Sequence, residues 1–257
     1  TGVDLPEVSI SDAEQVAALP WDDIDVVINA AAWTNVDGAE TPEGRRATWQ
    51  ANSTGPAVLA REATAHGVTM VHISTEYVFD GTQDVHLEDE APSPLGAYGQ
   101  SKAGGDAAVA STPKHYIVRT SWVVGDGKNF LKTMASLADQ GISPSVVSDQ
   151  VGRLTFTSDL ARGIIHLLTT GAEFGTYNLS GEGPVMSWAQ VAKRVFELCG
   201  RDPEDVTPVT TEEYFAGREV APRPLSSVLD LTKIKATGFT PEDSSQHIDS
   251  YVASLRG

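Results

Sequence analysis

Three short apolar runs punctuate the first half of the chain, and each gives way to small, hydroxyl or aromatic residues. Val26-Val27-Ile28 is followed by Asn29-Ala30-Ala31-Ala32-Trp33-Thr34, Thr69-Met70-Val71-His72-Ile73 by Ser74-Thr75-Glu76-Tyr77, and Tyr116-Ile117-Val118 by Arg119-Thr120-Ser121-Trp122. Helix-compatible stretches, roughly Thr48 to His66 and Tyr98 to Ala110, lie between them, and Asp12 to Leu19 reads as a short helix before the first run. This rhythm predicts βαβ units and a Rossmann-like, doubly wound parallel sheet of the α/β class. Ligands of such sheets gather beyond the carboxyl ends of the strands, so three consecutive polar endings mark a candidate site.

The second half has a different texture. Thr157-Ser158-Asp159 predicts an N-cap for a helix from Leu160 to Thr169, and Gly175 to Leu179 predicts a short strand. Ser187 is placed to cap a helix running to about Leu198, with apolar positions at Val191, Val195, Phe196 and Leu198, and Gly200 is placed to end it. Pro203, Pro208, Pro222 and Pro224 punctuate the stretch after that helix. The division expected is a dinucleotide-binding domain over residues 1–150, incomplete at its N-terminal side, and a smaller substrate lobe over 151–257, interleaved with the last sheet elements.

Composition narrows the classes. Thirty-five acidic and 18 basic residues leave a net charge of -17, which opposes a nucleic-acid or anionic-membrane partner and reads most simply as solubility. The single cysteine, Cys199, allows no disulfide within the chain and suits a reducing compartment, so a cytoplasmic location is expected. No stretch approaches the ~18 apolar residues of a membrane span. The chain opens Thr1-Gly2, with neither methionine nor a signal-peptide pattern, so this is not expected to be the native start.

The strongest chemistry lies in Tyr98-Gly99-Gln100-Ser101-Lys102, because residues four apart share a helix face. A phenol titrates near 10, and a neighbouring ammonium lowers that value toward working pH. The pair then suits proton transfer to a carbonyl oxygen while a hydride reaches its carbon. Alone, the motif is weak, since both residues are common on exposed helices. It gains weight from the Thr75 hydroxyl at a strand end, 23 residues before Tyr98. Strand-end hydroxyl, loop, then Tyr-x-x-x-Lys helix is a specific arrangement.

On these residues the sequence resembles the extended short-chain dehydrogenase/reductases, and among them the dTDP-4-dehydrorhamnose reductases. The likeness is carried by Asn29 to Glu40, by Ser74-Thr75-Glu76-Tyr77-Val78-Phe79-Asp80-Gly81, and by Ser93 to Lys102. It continues through Arg119 to Val123, Asn129 to Met134, Asp149-Gln150, Asp159-Leu160-Ala161 and Arg223-Pro224, so it runs along nearly the whole chain. The resemblance implies Thr75, Tyr98 and Lys102 as the catalytic set. It implies a nicotinamide site lined by Ala30, Ala31, Ala32, Ser74, Thr120 and Ser121, with Tyr98 and Lys102 also touching the cofactor. Glu76, Tyr77, Trp122, Asn129, Phe130 and Arg223 would contact a dTDP-sugar. The plain alternatives are a core tryptophan at 122 and a surface ion pair at Arg223. The implied cofactor is NADPH, with NADH as the alternative. The implied partners are the sugar substrate, a fused or associated 3,5-epimerase domain, and a second copy in a homodimer.

The sequence also departs from the family. Glu76 stands where aspartate is usual, Arg153-Leu154-Thr155 where Ser-Pro-Thr is common, and Ser226 where asparagine is frequent. Gly104 and Gly105 each weaken a helix by about 1 kcal/mol relative to alanine, so packing must hold it. The largest departure is the lack of a strand and Gly-rich turn before Val26, the usual pyrophosphate cradle. Either the chain is part of a longer one, which the intact Thr75, Tyr98 and Lys102 favour, or it is a regulatory subunit that kept the fold. A dehydratase or epimerase of the same superfamily is the enzymatic alternative, and the single Glu76 after Thr75, without a second acid, favours simple reduction. No Gly-x-Ser-x-Gly elbow occurs, and the six histidines show no metal spacing.

Overall fold

The computed structural model describes residues 1–256. Four parallel strands form the central sheet in the order β1 (Val26–Asn29), β2 (Thr69–Thr75), β3 (His115–Thr120) and the Gly175–Asn178 strand. Each predicted run is therefore a strand, and β2 and β3 extend to the hydroxyl residues that follow them. Alternation sends successive side chains to opposite faces. Met70 and Ile117 pack on one face with Val16, Leu59, Ala63 and Val109, while Val71, Tyr116, Val118 and Tyr177 pack on the other with Leu160, Ile164 and Ile234, and these two layers form the core of the sheet domain. A sheet covered on both faces is the doubly wound arrangement expected.

The crossovers explain the coverage. Helix α1 (Ala13–Ala17) precedes β1, with the Asp12 side chain accepting from the Glu14 and Gln15 amides. The first crossover helix starts earlier than its apolar pattern suggested. Helix α2 (Pro42–Trp49) opens with proline in its first turn and Thr41 as cap, and continues through a π-helical turn, Gln50–Thr54, into α3 (Gly55–His66). Its polar residues, Glu43 to Arg46, hide it from a reading based on periodicity. Helix α4 (Ala97–Val109) joins β2 to β3. Helices α5 (Phe130–Asp139) and α6 (Thr157–Thr170) lie between β3 and the last strand.

A second core forms where α5 packs on α7 (Trp188–Leu198) and on the C-terminal helix Ser244–Arg256. Leu131, Met134, Leu154, Phe156, Val191, Val195, Phe196 and Ile248 fill it. Its residues come from both sides of position 150. Ser187 caps α7 in a reciprocal pair with Gln190, as its sequence suggested.

The glycines of α4 have a packing reason. A Cβ at Gly105 would lie 2.1 Å from the Asn52 carbonyl oxygen, and one at Gly99 2.1 Å from the Tyr77 carbonyl oxygen. The helix thus sits directly on the backbone of the π-turn and of the segment after β2. Gly105→Ala is expected to destabilise the protein by about 1–3 kcal/mol despite alanine's better helix propensity, because the contact is backbone and must shift. Urea unfolding measures this, and a variant as stable as the parent would show that the helix has room.

Candidate active site

Strand β2 delivers Ser74 and Thr75 to the carboxyl edge of the sheet, and a 3-10 turn, Glu76–Val78, follows at once. The turn forms because the Thr75 hydroxyl caps it, accepting the Tyr77 amide at 3.2 Å. The same hydroxyl donates to Glu76 Oε2 at 2.8 Å. Helix α4 brings Tyr98 to this point from the other side. The Tyr98 ring meets Tyr77 edge-on at 5.5 Å, and its phenol lies beside the Thr75 hydroxyl. Thr75 and Tyr98, distant in sequence, therefore converge as expected.

The electrostatics differ from the expectation in one respect. Tyr98 keeps part of its surface exposed, yet burial of its phenol pushes its pKa above the ordinary value, and Glu76 adds to the rise. The downward tuning expected from Lys102 is not what the geometry delivers. Its Nζ donates to the Ile73 carbonyl at 2.6 Å and lies 3.5 Å from His72 Nε2. Burial lowers Lys102 to about 8, against which the Asp106 carboxylate pulls upward. Sharing a helix face put Lys102 under the sheet edge, where a backbone carbonyl claims it.

Beneath Lys102 lies a buried network that the sequence did not reveal. His72 Nδ1 meets the Asn29 amide at 3.1 Å, and Asn29 Oδ1 accepts the Ala31 amide at 3.2 Å. His72 Nε2 stands 3.7 Å from Asp106, whose other oxygen accepts from Arg119 Nε at 3.2 Å. Asn52, at 0% exposure in the π-turn, binds both the amide and the carbonyl of Trp33 and donates to Ser101 Oγ. One side chain so ties the loop after β1 to the helix of Tyr98 and Lys102. π-turns of this kind often accompany functional sites.

The residues expected at a nicotinamide end lie along the same sheet edge. Ala30, Ala31 and Ala32 are exposed at the edge of β1, where small side chains allow close approach. The Thr120 hydroxyl, opposite Thr75 in register, is buried without a hydrogen-bond partner, an arrangement that asks for a polar ligand. Ser74 stands beside Asp106, and Ser121 donates to the Arg153 carbonyl.

The residues assigned to a sugar nucleotide divide. Glu76 is 3% exposed, and burial raises it from 4.5 to about 7 against the pull of Thr75 and Ser227. A carboxyl raised in the folded state holds its proton longer than in the unfolded chain, so its ionisation erodes stability as pH climbs from about 4.5 to about 7. Burial lifts Tyr77 to about 12. Trp122 adopts φ 46°, a left-handed conformation that bulky residues rarely hold, and its ring stacks on Trp188 with centroids 3.7 Å apart. Phe130 packs on the same Trp188 at 4.6 Å. Trp122 is thus half in the second core, as the plain alternative had it, and strained at the sheet edge.

Two assignments meet prior commitments. Asn129 caps α5 through its oxygen, and its amide donates to the Gly125 and Gly127 carbonyls and the Tyr251 hydroxyl, which leaves it little capacity for a ligand. Arg223 forks onto both oxygens of Asp37 at 2.9 Å, donates to the Ala221 carbonyl and lies over Phe215. The ion-pair alternative for Arg223 therefore describes its present partner, with the Tyr77 phenol beside it. The segment carrying Arg223 and Ser227 is pinned beneath the loop after Phe79. Ser226 donates its amide to the Gly81 carbonyl, and His86 donates its amide to the Val228 carbonyl. Asn52, His72, Asp106, Trp188 and Ser227 carry no sequence signal that marks them as part of a site. Only topology brings them in. Among the described residues no group of three or more His, Cys, Asp or Glu is placed to hold a metal, and no helix is long and apolar enough to cross a membrane.

Residues 1–256 match the family model described as the RmlD substrate binding domain. The chain is 39% identical over 226 residues to the dTDP-4-dehydrorhamnose reductase of Mycobacterium tuberculosis H37Rv, covering 84% of this chain and 72% of that protein. Among solved structures it is similar to a dTDP-4-dehydrorhamnose reductase ortholog from Clostridium acetobutylicum, with TM-score 0.91, 36% identity, and 99% and 90% of the two chains covered. It is similar also to the Bacillus anthracis dTDP-4-dehydrorhamnose reductase in complex with NADP, with TM-score 0.89, 33% identity, and coverage of 98% and 89%.

Proposed function

Because this chain belongs to the RmlD substrate binding domain family, we propose that it is a reductase acting with NADPH on the C4 keto group of dTDP-4-dehydro-6-deoxy-L-mannose, yielding dTDP-L-rhamnose. The observation that carries the reading is the convergence of Thr75, Tyr98 and Glu76 at the end of β2, beside the unpartnered Thr120 hydroxyl. Relatives named as reductases of this sugar nucleotide, and a neighbour bound to NADP, support it.

Bound NADPH supplies the hydride. The chain supplies position and a proton. The Thr75 hydroxyl orients the substrate carbonyl toward Tyr98, and the Tyr98 phenol donates its proton to the carbonyl oxygen as charge develops there. A phenol held above its ordinary pKa stays protonated at neutral pH, which suits an acid in the forward reduction. Lys102 keeps a positive charge beneath the nicotinamide side of the edge, fixed by the Ile73 carbonyl. Trp122 and Phe130, both resting on Trp188, offer an apolar wall for a sugar ring.

The same reading carries finer expectations. The lone cysteine supports a cytoplasmic location. The L-configured keto sugar has to come from a 3,5-epimerisation, which is why an epimerase, fused or associated, is the expected partner. A homodimer is the expected assembly. The test of the function is loss of NADPH absorbance on adding the dTDP-4-dehydro sugar, with the dTDP-L-rhamnose product identified by mass and NMR. Binding of both ligands without turnover would move the assignment to a regulatory subunit on the same fold.

A further inference from the structure

We infer that the Glu76 carboxyl sets the direction of the Thr75 hydroxyl, so that Thr75 donates to the substrate carbonyl only while Glu76 carries its proton. The inference rests on the reductase reading above and assigns Glu76 as a positioning residue that acts through Thr75.

The argument is a count of hydrogen-bonding capacity. A threonine hydroxyl has one proton and two lone pairs. One lone pair of Thr75 is used by the Tyr77 amide, a bond fixed by the turn itself. The second partner is Glu76 Oε2 at 2.8 Å, and the Tyr98 phenol beside it reserves its own proton for the substrate carbonyl. If Glu76 is ionised it can only accept, so the single Thr75 proton is spent on it and none remains for a carbonyl. If Glu76 is protonated, its own O–H fills the second lone pair, and the Thr75 proton is free to turn outward. The two states share the same heavy-atom positions and differ only in where protons lie.

The surroundings keep this switch poised. From its own turn Glu76 faces Tyr77, from α4 it faces Tyr98, and from the Arg223 to Val228 segment it faces Ser227. Thr120, beside Thr75 on β3, is uncharged. Among the described residues no cation pairs with Glu76. Arg223 is committed to Asp37 and reaches only Tyr77, while Lys102 is held by the Ile73 carbonyl. Asp106, farther along α4, acts on Tyr98 and is answered by Arg119. The site is thus built to leave this carboxyl close to neutral. Its titration near 7 then falls inside the working range. Ionised Glu76 also makes Tyr98 a weaker acid, which acts in the same sense.

The experiment is a pH profile of kcat and KM with NADPH and the dTDP-4-dehydro sugar, from about pH 6 to about pH 9. The wild-type kcat is expected to fall about tenfold or more on an alkaline limb with its midpoint near 7. In Glu76→Gln the amide donates to Thr75 at every pH, so the midpoint should move up by about one unit or more, to the next group that titrates. NADPH affinity should not follow this limb. An identical midpoint in the two proteins, or an active wild type with no limb near neutrality, overturns the inference. A wild type without turnover at any pH overturns the reductase reading instead. Should Glu76→Gln not fold, carbon-13 NMR of wild-type protein labelled at glutamate carboxyls decides. One resonance must titrate with the midpoint of kcat, and its absence overturns the inference.

Discussion

Tyr98→Phe is expected to lower kcat by about 10²–10⁴-fold while leaving the fold intact. The ring stays where α4 puts it, edge-on to Tyr77, and only the phenolic oxygen is lost. With it goes the phenolic proton that faces the Thr75 hydroxyl. KM should change much less, since the oxygen matters mainly as charge develops on the carbonyl. Single-turnover oxidation of NADPH measures the chemical step, and urea unfolding should give a stability within about 1 kcal/mol of the parent. A fall of less than about tenfold would place the proton donor elsewhere, with Glu76 the next candidate.

The largest effect on stability is expected at Arg119, in the buried network beneath the site. Its Nε meets Asp106 at 3.2 Å, its Nη1 donates to the Glu88 carbonyl, and it lies over the Phe79 ring, buried from solvent. Arg119→Met fills similar space but strands the Asp106 carboxylate in a low-dielectric interior. Breaking a buried pair on one side costs about 3–5 kcal/mol, because the remaining charge is not hydrated, and here it keeps only the more distant Lys102 as a cation. Asp106 is already held above the ordinary carboxylate range by burial, against the pull of Arg119. Without the arginine it rises further, so the deficit should shrink as pH falls and Asp106 protonates. Denaturation at neutral and mildly acidic pH checks both points. A deficit below about 1 kcal/mol at neutral pH would show that the pair is solvated in practice.

How far the sequence reached depends on the range of the interaction. The sheet was legible because its strands are short apolar runs and its crossovers are long enough to be helices. The start of α2 was not, because Glu43 to Arg46 carry no apolar stripe. Thr75 and Tyr98 were legible because a fixed loop separates a strand end from a helix start. The destination of Lys102 was not, because four-residue spacing fixes a face but not which carbonyl claims the ammonium. Asn129 and Arg223 show the same limit. An asparagine that caps a helix and an arginine that forks onto Asp37 look, as letters, the same as ligand contacts. The partners beneath the site, His72, Asp106 and Arg119, come from β2, α4 and β3 and meet only once the sheet is assembled.

The stacked pair of Trp122 and Trp188 has a use beyond packing. Two indoles with centroids 3.7 Å apart and planes inclined by 15° have coupled electronic transitions. Such coupling gives a paired, opposite-signed circular-dichroism band and an altered emission, both of which depend steeply on separation and tilt. One member of the pair stands at the sheet edge with its backbone in a left-handed conformation, and the other opens the helix that enters the second core. The protein therefore carries an intrinsic optical gauge at the rim of its second core, readable without an attached label.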